Sequence, residues 1–165
     1  MPRIVSLSLR ALEFIFTVIL LGLVGSLEAQ SSWNPESVHF SMFTAAFSMF
    51  FLFYLIPASW SEGLAGHPIF LVVIDGLNAI FFFCAAVTLA ARTHGNSCGN
   101  HNFIDFNSIA QGSSGRCREA QAACAFFWFG WAAYMASLVF SIVGGKSSSN
   151  LSARPSVRRP GMSQV

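Results

Sequence analysis

Apolar residues fall into four long runs, roughly Leu9–Leu27, Val38–Ile56, Pro68–Ala91 and Ala120–Val143, with polar residues gathered between and after them. Each run is about 19 to 24 residues long, and a helix rising about 1.5 Å per residue needs about 20 to cross the hydrocarbon layer. The pattern predicts an all-α integral membrane protein, a bundle of four transmembrane helices. Residues 1–145 form this one membrane domain, and 146–165 are left as a polar tail. Arg3 and Arg10 before an apolar stretch also resemble the start of a signal peptide. The run continues back through Leu9, however, and Leu27 is a poor small-residue match for a cleavage site, so an uncleaved first helix is the preferred reading.

Composition strengthens this. Charged residues make up 10% of the chain and hydrophobic ones 54%, with 18 Phe; a soluble domain carries about 25% charged residues. Lipid can cover such a surface where water cannot. Orientation follows from Lys and Arg: Arg3, Arg10, Lys146, Arg154, Arg158 and Arg159 flank the bundle's two termini, against Arg92, Arg116 and Arg118 in the third loop. That bias places both termini in the cytoplasm and loops one and three outside.

The third loop, rich in Gly, Ser and Asn, holds a cysteine near each end, Cys98 and Cys117. Facing an oxidising space, the two are expected to form a disulfide; two unpaired thiols are the alternative. With His94 and His101 they also suggest a metal site, but the spacing fits no usual zinc pattern, and neither metal nor cofactor is expected. Asn150-Leu151-Ser152 matches a glycosylation acceptor on the wrong side of the membrane.

Within the runs, Asp75 and Asn78 share a helix face, as do Arg10 and Glu13. Acids at membrane depth turn inward and find partners, so these four are expected to cluster near the cytoplasmic side. The cluster reads either as a polar clasp fixing helix register, the favoured reading, or as a proton-linked or headgroup site. Small residues recur at four-residue spacing, Gly22 with Ser26 and Ala133 with Ser137 and Ser141, and suit close helix packing within one bundle or in a homo-oligomer. Trp33 and Trp60 suit interfacial belts, while Trp128 and Trp131 form a bulky face.

The tail is rich in Ser, Arg, Pro and Gly and is expected to be disordered. Its cations Lys146, Arg154, Arg158 and Arg159 are placed to contact anionic lipid, at about 1 kcal/mol each, and phosphorylation of nearby serines would offset that attraction.

The segments IDGLNAIFFFCAAVTLA, NSCGNHNFIDFNSIAQGSSGRCREAQAACAFFWF and the terminal SQV resemble those of the fungal non-classical export proteins, which are tetraspan MARVEL-domain proteins. The resemblance is densest from Leu71 to Phe129. It implies a plasma-membrane organiser in furrow-like compartments associated with eisosomes, which retains transporters there and responds to sphingolipid status. Implied partners are membrane lipids, eisosome-type coat proteins and transporters, with no nucleic acid. The family's loop cysteines fall on Cys98 and Cys117, its intramembrane acid and amide on Asp75 and Asn78, and its QG...RCR(E/Q)AQAA stretch on Gln111 to Ala123. This chain departs in its short first loop and less basic tail. A small channel or transporter, or an export factor using Asp75 and Glu13, is the alternative. An enzyme is not expected: the chain has no Cys-x-x-Cys pair, and no nucleophile has a nearby base in sequence.

Overall fold

A computed structural model describes residues 2–31, 33–60 and 68–152, with backbone alone at 2–3, 58–60, 68 and 144–152. Five helices follow one another: α1 (Pro2–Ala29), α2 (Glu36–Trp60), α3 (Pro68–Thr93), a short α4 (His101–Phe106) and α5 (Ser114–Ser152). Four are long and apolar enough to cross a bilayer, over Ile4–Ala29, Glu36–Pro57, Ile69–Thr93 and Ser114–Val143. A helix satisfies every backbone N–H and C=O internally, which a segment immersed in lipid requires. Each helix therefore outruns the apolar run that predicts it, since polar flanks can complete the last turns in the headgroup zone.

The spanning helices close into a ring, with α1 packed on α2 and α5, and α3 packed on α5 and α2. The α3–α5 seam is the most extensive, and α2–α3 is the lightest. The light seam is filled by rings rather than by backbone approach. Phe81 lies edge-on to Phe40, Phe43 and Phe47, at centroid separations of 6.4, 5.7 and 5.1 Å. Where α3 meets α5 the helices come closer, because Gly130 leaves room for the Phe82 ring; a Cβ on Gly130 would overlap it. Phe82 then packs edge-on against Phe127 and Tyr134, at 5.3 and 5.0 Å.

Polarity runs inside out relative to a water-soluble fold. Arg10, Glu13, Thr17, Ser48, Asp75, Asn78 and Ser137 are buried, while Ile4, Phe50, Phe53 and Ile69 are each at least 65% exposed. In lipid this costs nothing at the surface, because acyl chains are as apolar as the side chains they meet.

The tail differs from its expectation. Helix α5 runs on to Ser152, into the segment read as disordered. A helix already nucleated inside the bundle adds residues at little cost, whereas composition weighs each residue as though nucleation were still to come. Residues 153–165, with Arg154, Arg158 and Arg159, lie outside the described residues, and Lys146 is described by its backbone only.

Candidate functional site

The residues that composition makes most expensive in a membrane come together. Glu13 lies nine residues into the first span and Asp75 six into the third, about 13 and 9 Å along their helices at about 1.5 Å per residue. Arg10, one turn before Glu13, reaches across the ring diagonal from α1 to α3. Its two terminal nitrogens donate to the two Asp75 oxygens at 2.5 and 2.6 Å. Its Nη1 also donates to Glu13 Oε2 at 2.9 Å. The other Glu13 oxygen accepts from Ser137 on α5 at 2.5 Å, and Ser141 lies 3.5 Å from Asp75 Oδ2. The planar guanidinium meets a carboxylate with two parallel bonds, a fit the lysine ammonium cannot reproduce.

Deeper in the bundle a second polar layer crosses the other diagonal. Tyr134 on α5 and Ser48 on α2 lie 2.5 Å apart through their hydroxyls, and Ser48 is 3.1 Å from Thr17 on α1. Thr17 turns its hydroxyl back to the Glu13 carbonyl at 2.7 Å. All four spanning helices thus contribute to one connected polar core. Asn78 is buried beside it without joining it: its nitrogen donates to the Ile74 carbonyl of its own helix at 3.1 Å, and its Oδ1 has no hydrogen-bond partner among the described residues.

At the opposite end, Arg116 ties the loops to the bundle. It is 3% exposed and donates to the Ile109 carbonyl, the Leu27 carbonyl and Asn34 Oδ1, each at 2.9 Å. The Leu27 carbonyl belongs to the last turn of α1, where partial negative charge favours a cation. Asn34 in turn donates to the Glu28 side chain at 2.8 Å. Cys98 and Cys117 form a disulfide with their Cα atoms 5.7 Å apart, and a small core of Ile104 and Ala110 packs around it. The expected bridge is therefore present.

The small-residue stripes divide. Ala133 and Ser137 are buried, with Ser137 and Ser141 facing the ionic cluster. Gly22 is exposed, and no atom lies within 4 Å of where a Cβ would stand, so it brings no neighbouring helix close. Ser26 makes a polar link instead, 3.4 Å from Glu119. The tight approach falls at Gly130, which the four-residue pattern missed. Arg116 and the Ser48–Tyr134 pair were missed too. Arg116 counts as an ordinary loop cation in sequence, and isolated Ser and Tyr residues in a span carry no periodic signal.

Residues 3–140 match the family model of the membrane-associating domain named MARVEL. The chain is 38% identical over 135 residues to non-classical export protein 2 of Saccharomyces cerevisiae, covering 81% of this chain and 78% of the relative. The chain belongs to the MARVEL family, among the non-classical export proteins. Non-classical export protein 102 of Candida albicans is 39% identical over 163 residues, 95% of each chain. A homologue from Schizosaccharomyces pombe is 27% identical over 140 residues, 84% of this chain and 76% of the relative. No solved structure matches significantly. The MARVEL match ends at residue 140, next to Ser141 of the ionic cluster, so the domain as matched contains nearly the whole polar core.

Proposed function

We propose that this MARVEL-domain protein is a non-enzymatic organiser of the plasma membrane. It supports furrow-like, eisosome-associated compartments, holds transporters within them and responds to sphingolipid status. Both termini are cytoplasmic, and the basic tail meets anionic lipid and coat proteins. The observation that carries this reading is how the intramembrane charges are spent. Asp75 is held by both Arg10 nitrogens, and Glu13 is shared between Arg10 and Ser137. Groups so committed serve as a clasp that sets helix register, leaving the lipid-facing surface as the working part.

That surface has relief. Between α3 and α5 an outward-facing apolar groove of about 380 Å³ is lined by Gly76, Ala79, Ile80, Phe83, Trp131 and Met135. It gives lipid chains a shaped wall to pack against. The disulfide supports placing the third loop outside, since such bridges persist in oxidising compartments.

A tagged full-length chain in intact cells tests the proposal. Punctate surface patches that disperse on sphingolipid depletion are expected; a uniform or internal distribution contradicts it. The second reading, a small transporter or an export factor, draws on the unpartnered Oδ1 of Asn78 close to Asp75. A solute or ion flux in reconstituted vesicles that Asp75→Asn abolishes, with patches intact, favours that reading.

A further inference from the structure

The loop end of the bundle carries a cleft that the polar core does not use. Ser31, Trp33, Asp105, Phe106, Ser108 and Gln111 line an open concavity of about 410 Å³ between the first and third loops. Trp33 is 80% exposed and Phe106 90%, so two large aromatic faces stand free at one mouth. Their placement is built rather than incidental. Gln111, with a left-handed backbone at φ 48°, donates from Nε2 to the Trp33 carbonyl at 2.8 Å and to the Ser108 carbonyl at 3.0 Å. Ser31 Oγ donates to the Trp33 carbonyl at 3.0 Å and accepts from the Trp33 N–H at 3.2 Å. A non-glycine residue held in the left-handed region is a cost that surrounding contacts must sustain. Here it fastens the two loops on either side of the cleft.

Charge selects the occupant. Asp105 is the one acidic side chain lining the cleft, and its carboxylate has no hydrogen bond or ion pair among the described residues. Two aromatic rings and a carboxylate, with no lysine or arginine among the lining residues, suit a cation with apolar substituents, which rings attract through their negative faces. A phosphate alone would meet repulsion there. The cleft also sits where α1 ends at Ala29 and α2 begins at Glu36, at the level where helices leave the hydrocarbon. Lipid headgroups occupy that level.

We infer that this cleft binds a quaternary ammonium group, the choline head of a phospholipid in the adjoining leaflet, between Trp33 and Phe106 with Asp105 as counter-charge. The site is independent of the organiser reading and stands or falls by itself.

The full chain, reconstituted in phosphatidylglycerol nanodiscs, is titrated with tetramethylammonium against sodium at matched ionic strength, following tryptophan fluorescence. A saturable change that disappears in Trp33→Phe is expected. Phe106→Leu should weaken binding about two- to fivefold, the range for an exposed cation–aromatic contact, and Asp105→Asn by up to about fivefold, the range for an exposed ion pair. Both side chains are exposed, and an unchanged melting temperature verifies that each variant folds. In phosphatidylcholine discs the added cation should produce little further change, because headgroups already fill the cleft. No saturable response in phosphatidylglycerol, or one untouched by Asp105→Asn and Phe106→Leu, overturns the site. An equal response in both lipids overturns the headgroup assignment in favour of a free small cation.

Discussion

The ring of Phe82 on α3 occupies the space that a side chain on Gly130 of α5 would fill. This pair sets how closely the two most extensively packed helices approach. Gly130→Leu forces either the ring or the helix aside, at a cost of about 1–3 kcal/mol for overpacking. Thermal unfolding in detergent should show the loss, and Phe82→Ala combined with Gly130→Leu should recover part of it. Equal stability of Gly130→Leu and the parent would mean that the seam is looser than described.

The bridge between Cys98 and Cys117 closes the third loop over a sequence separation of 19 residues. Removing it from both states by Cys98→Ser with Cys117→Ser should lower stability by about 3 kcal/mol in the loop-entropy description. The spanning helices should keep their far-ultraviolet dichroism, since their packing does not pass through the loop. A faster-migrating non-reduced band, present in the parent and absent in the variant, checks the bond itself.

Arg116 holds three acceptors with one guanidinium, among them a carbonyl in the last turn of α1. A lysine can reach one or two of them but cannot match the fork. Arg116→Lys should therefore destabilise noticeably and Arg116→Ala more, at about 1.5–3 kcal/mol for each charge-assisted bond left unmade, with less than full additivity. Hydrogen exchange of Gln30, Ser31, Trp33 and Asn34 should rise in both variants while that of the middle of α3 stays slow.

The hydroxyls of Ser48 and Tyr134 join α2 to α5 through the bundle interior. Intramembrane hydrogen bonds contribute modestly, about 0.6 kcal/mol on average and up to about 1.7. Tyr134→Phe should cost within that range, and Ser48→Ala made in that background should cost only what the remaining contact with Thr17 contributes. A double-mutant cycle on melting free energies reads that coupling directly.

Much of this was legible beforehand, for a physical reason. Spanning helices are dictated by length and hydropathy, and charge at membrane depth must be paired, so four helices and the meeting of Arg10, Glu13 and Asp75 follow from residue types and register. Asn78 shares the Asp75 face of α3, yet its amide turns to its own backbone, a choice open to any buried amide and invisible in spacing. Gly22 shows the limit of small-residue patterns: four-residue spacing tells which face is narrow but not whether a helix lies against it. The Gly130–Phe82 fit depends on the relative rotation of two helices, which no single-helix periodicity contains. The cleft at Trp33 and Phe106 joins loops far apart in the chain, and only the folded backbone brings them together.

The central claim is that the intramembrane charges act as a clasp. Arg10→Ala should cost about 3–5 kcal/mol, because it leaves buried carboxylates without their cation in a low-dielectric interior, and Asp75→Ala should cost less, because Arg10 keeps Glu13. The decisive measurement is the stability of the exchanged variant, Arg10→Asp with Asp75→Arg, in reconstituted bilayers alongside Arg10→Asp and Asp75→Arg alone. The clasp predicts that the exchange recovers a substantial part of what either single change loses. An exchanged protein no more stable than the worse single variant would contradict it.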